Sequence, residues 1–463
     1  MSEHAHTHSR RESSRHREKR AEEHRQARSA NLGKAVFLGT FGLLMFGPVA
    51  FGAVEPWSIF CLEAGALLLT LAWFARQWLN GELEVRSNPL FLPMGVFATL
   101  VALQLVFRVS AYPHDTWSQA LLYCAYAMLC FLSSQTLLRT AQARQLAWMF
   151  CVYGFVVAAL ALLQGIAPNG KLYWVREPRL GGWIYGSYVN HNHYAGLMEL
   201  LVPIPLVLAL TRLADRNERI VAAIAAAIMA GTIFLSGSRG GILAIFFEMV
   251  LFGVVLLHQK KTTRIAVGVG GFAVLLIGLL VWLGGKELTT RLTSISTEAH
   301  SEISGGTRLS IDRDTLHMFR QRPVLGWGLG TFPVVYPQFR TFYTNFFVNQ
   351  AHDDYLQLLA ETGVLGFATM VWFVVVLYRK ALLKIGNWTS DVGGAVTLAC
   401  MLGFSGMLVH SFFDFNLQIP ANAALFYVMC TVAAAPPLRH RSQKRKPIPA
   451  APQEQPVPAS EVV

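Results

Sequence analysis

The chain has 463 residues, 53% of them hydrophobic and only 14% charged, with a formal net charge of +12. A soluble domain carries roughly 25% charged residues, so the composition points away from a water-soluble fold and toward a membrane protein. The basic excess is spread over many short segments, which argues against nucleic acid as a partner and for loops and tails that meet a lipid surface.

The first stretch, "MSEHAHTHSRRESSRHREKRAEEHRQARSAN", has no apolar centre, and residues 1–34 read as a basic disordered tail. His4, His6 and His8 admit a metal reading there, but a flexible solvated tail accounts for them more simply. Apolar runs then recur, each near the length of about 20 residues that a bilayer needs. The hydropathy predicts about twelve spanning helices, near 35–54, 57–75, 90–108, 117–138, 146–165, 192–211, 219–236, 240–257, 265–283, 355–378, 392–412 and 418–435. The expected fold is an all-α polytopic membrane protein, with a membrane domain over 35–436 and a basic, Pro-rich tail over 437–463. The six cysteines all lie inside apolar runs without metal-knuckle or disulfide spacing, and read as packing residues.

Loop charges test the count. With a cytoplasmic N-terminus, the even-numbered helices end inside, beside Arg76 and Arg86, then Arg139 and Arg144, then Arg212, Arg216 and Arg219. Lys260, Lys261 and Arg264 follow, then Arg379, Lys380 and Lys384, and the tail adds Arg439, Arg441 and Lys444. Every inside loop is basic, so both termini are expected in the cytoplasm. Two outer segments stand out: 167–189, with Lys171, Arg176 and Arg179, and a large one before the tenth helix, over 284–354. The large segment is too long for a plain connection. It holds a helical pattern in "TRLSIDRDTLHMFRQR", with Leu309, Leu316 and Phe319 on one face, and a Gly-rich turn, "PVLGWGLGTF".

Arginines on the outer side run against the positive-inside bias. Arg239 sits in "SGSRGG", between two spans, where the next helix offers free N–H groups. A guanidinium there suits a phosphate; a snorkelling arginine at a helix end is the plain alternative. Arg308, Arg313, Arg320, Arg322 and Arg340 make the large loop basic, and an anionic substrate on that face is the simpler account. In "NQAHDDYLQLLAETGVLG", His352 lies at the outer mouth of the tenth helix. Asp353 or Asp354 is a natural N-cap, and a carboxylate beside His352 can orient the ring for general-base work. His191 and His193 in "HNH" could add ligands for a metal on the same face. Glu63, Glu199, Glu248, Glu361 and Asp414 stand at or within spans, where acids are costly and often functional. A proton-coupled transporter or a lipid-linked sugar exporter would use them, and a structural scaffold would leave Arg239, Arg308 and His352 without a role.

Five stretches together resemble the O-antigen ligase/O-antigen polymerase family of bacterial membrane glycosyltransferases: "YVNHNHYAGLMELLVP", "LSGSRGGILA", "GGTRL" leading to "RPVLGWGLGTF", "NQAHDDYLQLLAETGVLG" and "HSFFDFNLQIPANA". They run in family order over roughly 185–430. The resemblance implies transfer of a glycan from a polyprenyl (undecaprenyl) diphosphate carrier to an acceptor hydroxyl at the periplasmic face of the bacterial inner membrane. The acceptor would be a lipid A-core sugar or another carrier-linked glycan, and no cofactor or metal is expected. It implies that Arg239 and Arg308 grip the diphosphate and that His352 is the catalytic base. Asp353 is taken as its orienting group, with Arg176, Arg179, His191 and Asn192 as further substrate-binding candidates. Asp312 departs from the ligase pattern, which often has an aromatic near that point.

Overall fold

The structure is a computed structural model and describes residues 2–178, 182–259, 305–344 and 347–438. All of its regular elements are helices: α1 (Ser2–Val49), α2 (Pro56–Asn80), α3 (Phe91–Val106), α4 (Pro113–Thr136), α5 (Thr140–Ile166), α6 (His191–Leu201), α7 (Pro203–Leu210), α8 (Arg216–Ser236), α9 (Arg239–His258), α10 (Gly305–Gln321), α11 (Asp354–Leu382), α12 (Val392–His410) and α13 (Pro420–Ala434). Among the described residues eight helical spans are long and apolar enough to cross a membrane, α6 and α7 counting as one, while α3 and α13 are shorter apolar helices. The chain is an all-helical polytopic membrane protein. Eleven of the twelve expected spans fall on these helices; the one near 265–283 lies outside the described residues, as do the charges at 260–264 and the tail beyond 438.

The segment 1–34 is drawn as helix: α1 begins at Ser2 and runs into the first span. The tract is rich in Arg, Glu and Ala, all good helix formers. It also grows from an already fixed helix end, so it needs no nucleus of its own.

α6 is the centre of the bundle. All of its eleven residues are buried. Pro203 removes a backbone donor where α6 gives way to α7, and the helix restarts there. The main core runs from Phe37 and Phe41 on α1, through Tyr194 and Leu201 on α6, to Phe404 on α12 and Phe426 on α13. α10 belongs to a second, smaller core built from Ile311, Met318, Phe332, Tyr336 and Ala360. The expected helix in this loop is present, but its buried face is Ile311, Asp314, Thr315 and Met318, while Leu309 is 52% exposed. Asp314 decides the face: its carboxylate accepts from Thr341 N–H, Thr341 Oγ1 and Tyr336 Oη, and ties α10 to the segment that follows.

α11 is broken at Gly363, whose φ of 66° lies in the left-handed region. Its freed backbone groups are answered by the "GWGLG" loop. Val364 N–H donates to Pro323 O at 2.8 Å, and Gly328 N–H donates to Glu361 O at 2.9 Å. Gln104 of α3 seals the junction: its side-chain N–H groups donate to Leu325 O and Glu361 O, and its oxygen accepts from Leu329 N–H. The Glu361 carboxylate accepts from Gly330 N–H and Phe332 N–H. Irregular backbone at a membrane-spanning helix survives only where protein groups satisfy it in this way. A side chain at Gly326 would place its Cβ 2.3 Å from Glu361 C, so the crossing needs glycine.

Candidate functional site

The site forms where four segments meet: the start of α6, the turn before α9, the N-terminus of α11 and the turn 411–418 between α12 and α13. Asp354 joins the last two. Its N–H donates to Ser411 O, and its carboxylate accepts from Ser411 Oγ, Leu417 N–H and Gln418 Nε2. Asp353 is the N-cap of α11, accepting from Tyr355 N–H and Leu356 N–H at 2.9 Å each. Burial lifts the Asp353 carboxyl above its ordinary value, against those two N–H groups.

His352 precedes this cap with a φ of 59°, a left-handed backbone that non-glycine residues rarely adopt. Such strain costs on the order of 1–3 kcal/mol and is concentrated at functional sites. Its surroundings hold it. Ala351 N–H donates to Gln357 Oε1 at 2.9 Å, and the His352 ring stands edge-on to Phe415, with centroids 4.7 Å apart. Nδ1 of His352 lies 3.5 Å from Oδ1 of Asp414. That is an ion-pair distance, looser than a formed hydrogen bond, as catalytic contacts often are without substrate.

This corrects the expected pairing. The carboxylate against His352 is Asp414, and Asp353 is occupied as a helix cap. Asp414 is 1% exposed. Burial opposes its charge, but His352, His193 and Arg308 outweigh burial and hold the carboxyl well below the usual carboxylate range. Nothing in the local sequence links positions 352 and 414; the only signal was that "HSFFDF" belongs to the family-like stretches.

Arg308, on the first turns of α10, donates from Nη1 to Phe413 O at 2.9 Å, so it joins the same turn as Asp414. Asp312, one helical turn on, sits within reach of Asp353, His352 and Arg308. Burial and then Asp353 push its carboxyl up to about 6, against the pull of His352 and Arg308.

Arg239 opens α9 after a two-residue turn. Gly237 closes α8 with a φ of 76°, and Ser238 caps α9 by accepting from Gly241 N–H at 3.1 Å. A cation at the first position of a helix opposes the helix dipole, so stability of α9 does not explain Arg239. Its neighbour Gly240 fits against the ring of His410: a Cβ there would lie 2.4 Å from Cδ2. His410 in turn pairs through Nδ1 with Glu199 Oε1 at 2.7 Å and precedes the Asp414 turn.

The remaining candidates divide. His191 is buried and stacks on Trp183, with ring centroids 4.4 Å apart, and Trp183 also approaches Gly237. Asn192 is buried beside it, its N–H held by Asn190 Oδ1. Arg176 is committed elsewhere. It pairs with Glu55 at 2.6 Å and lies over the Phe51 ring at 4.3 Å. Arg179 is outside the described residues. Among the described residues no group of three His, Cys, Asp or Glu side chains is placed to hold a metal ion.

Below Asp354 and Gln418 is an apolar cavity of about 340 Å³, walled by Phe97, Tyr123, Phe373 and Tyr427 from α3, α4, α11 and α13.

Comparison with curated proteins gives no match. A family model described as O-antigen ligase matches residues 224–371, a stretch that takes in Arg239, Arg308 and His352 but stops short of Asp414. Over those residues the chain is similar to O-antigen ligases.

Proposed function

We propose that the protein transfers a glycan from a polyprenyl diphosphate carrier to an acceptor hydroxyl, with His352 as general base, at the periplasmic face of a bacterial inner membrane. The observation that carries this reading is the Asp414–His352 pair beside Arg308. With Nδ1 turned to Asp414, Nε2 is the nitrogen left for a substrate hydroxyl, an arrangement that fixes tautomer and orientation. The acceptor oxygen attacks the anomeric carbon of the donor sugar. The bond from that carbon to the diphosphate oxygen breaks, and its electron pair leaves on the phosphate. His352 takes the hydroxyl proton. A single displacement inverts the anomeric centre.

Charge grows on the departing diphosphate, and Arg239 and Arg308 are the side chains proposed to meet it. These arginines supply the charge that a divalent ion would otherwise supply, so the reaction is read as metal-independent. The apolar cavity that reaches Asp354 supports a lipid-linked substrate, because it brings a surface suited to hydrocarbon up to the polar turn. The acceptor is either a lipid A-core sugar, which makes the protein a ligase, or the next carrier-linked repeat, which makes it a surface-polysaccharide polymerase.

The test is glycan transfer by the purified protein in liposomes with a lipid-linked donor. His352→Asn is the best variant, since Asn tolerates a left-handed backbone. It is expected to fold and to lose about 10²–10⁴ in rate, and Arg239→Ala is expected to lose transfer as well. Full activity in both variants would sink the proposal, and activity lost to EDTA and restored by a divalent ion would sink its metal-independent part. A second reading, a lipid-linked sugar exporter or proton-coupled transporter, draws support from Glu248, which is buried within α9 with neither carboxylate oxygen hydrogen-bonded. It predicts substrate movement across liposomes without a new glycosidic bond.

A further inference from the structure

We infer that His193 is a second working histidine of this site, and that Asp414 passes a proton to it from His352. The inference rests on the reading of His352 as base. Oδ1 of Asp414 lies 3.5 Å from His352 Nδ1 and 3.9 Å from His193 Nε2, so one carboxylate oxygen stands within ion-pair distance of two imidazoles. Both rings stand edge-on to Phe415 at the same centroid distance, 4.7 Å, and the phenyl ring braces the pair. His193 is buried, and its backbone oxygen is fixed by Asn422 Nδ2. Packing alone calls for none of this polarity.

The tautomer of His193 follows from its neighbour. The side-chain oxygen of Asn190 accepts from Asn192 N–H at 2.8 Å, which turns the Asn190 amide nitrogen to His193 Nε2 at 3.4 Å. An amide nitrogen only donates, so Nε2 of neutral His193 presents its lone pair, and its proton sits on Nδ1. That lone pair faces Asp414 Oδ1, itself an acceptor. The arrangement relaxes when a proton arrives between them. The other charged groups in electrostatic range of His193 are His352 before α11, His410 at the end of α12 and His191 on α6 itself.

The steps balance. The acceptor hydroxyl gives its proton to His352 Nε2 as the glycosidic bond forms. The Nδ1 proton of His352 passes by way of Asp414 Oδ1 to His193 Nε2 in one concerted shift, so that a protonated Asp414, which its cationic neighbours disfavour, never accumulates. Asp414 is a carboxylate again, His352 is neutral with its proton on Nε2, and His193 carries the positive charge. A neutral imidazole is far too weak an acid to return the proton to the new ether oxygen. The reverse shift, with loss of the Nε2 proton of His352 to water, resets the site after product leaves.

The test uses the full-length protein in liposomes with a lipid-linked donor, comparing wild type with His193→Gln and, as a second variant, His193→Asn. The relay predicts a fall of about 10–100-fold in kcat with little change in KM, and a pH–kcat profile that loses one ionisation. It also predicts that the wild-type rate in H₂O/D₂O mixtures bends with deuterium fraction, because two protons move, and that the variants give a straight line. A wild-type line that is already straight overturns the relay, even if both variants fail to fold. So does a loss in rate that is parallel at every pH, which would mark a packing role. The two readings fail separately: activity retained in His352→Asn removes the base, whereas an inactive His352→Asn beside an unaltered His193→Gln removes only the relay.

Discussion

Asp414→Asn removes one charge and keeps the shape of the side chain. In the structure that charge stands 3.5 Å from His352 Nδ1. At an effective dielectric of about 20, unit charges at that separation attract by about 5 kcal/mol. If His352 becomes an imidazolium in the transition state, the variant loses most of that stabilisation, and each 1.36 kcal/mol is tenfold in rate. The expected loss is therefore roughly 10³-fold in kcat. Binding should change little, because the lipid-linked donor meets the arginines and the apolar cavity. The assay is single-turnover transfer in liposomes, with thermal unfolding to show that the turn 411–418 still forms. A variant that keeps within about threefold of the wild-type rate while folding normally would refute the reasoning. Asp353→Ala is the control. That side chain caps α11 through Tyr355 N–H and Leu356 N–H, so its loss should appear as about 1 kcal/mol of stability, with a much smaller effect on rate.

Three further outcomes follow from the geometry. The Asp312 carboxyl is raised from 3.8 to about 6, so between those values the folded chain holds more protons than the unfolded one, and this group's contribution to stability falls as pH rises from about 4 to about 6; Asp312→Asn should flatten that part of a melting-temperature-versus-pH curve, and an unchanged slope would exclude the effect. Gly326→Ala and Gly363→Ala each push a Cβ to 2.3 Å from backbone atoms of the opposing segment at positive φ, and each should lower stability in detergent by about 2 kcal/mol or more, with the double variant less than additive because both disturb one crossing. Arg308→Lys keeps the charge but loses the planar fork, and should lose about tenfold or more in transfer; wild-type activity would remove Arg308 from the diphosphate site.

The architecture was legible because hydropathy and loop charge are read locally. Eleven expected spans lie on helices, and "SGSRGG" marked a short turn that the structure builds with Gly237 and Ser238. The site was legible only in parts. "AHDD" held a helix cap and the proposed base in one line, but the carboxylate that stands against His352 comes from 62 positions further along the chain. His193 was visible only as a ligand for a metal, because its relation to Asp414 exists only once α6 packs beside the 411–418 turn. Arg176 looked like a substrate contact because unpaired arginines on an outer face stand out in sequence, and the glutamate that answers it, Glu55, is 121 residues away. The break at Gly363 leaves no mark in the hydropathy, since a helix that stops and restarts keeps the same apolar run.

That interruption sets what His352 moves with. The nine residues 354–362 form a stub whose last carbonyls, Ala360 O and Glu361 O, accept from Trp327 N–H and Gly328 N–H, while Val364 N–H, just past the break, donates to Pro323 O. A rigid α11 would carry any tilt imposed by the membrane straight to His352. With the joint at Gly363 the stub is fastened to the small outer core and, through Asp354, to the 411–418 turn. The position of His352 is thereby referenced to the small core around α10 and to the 411–418 turn, and not to the membrane-crossing run alone.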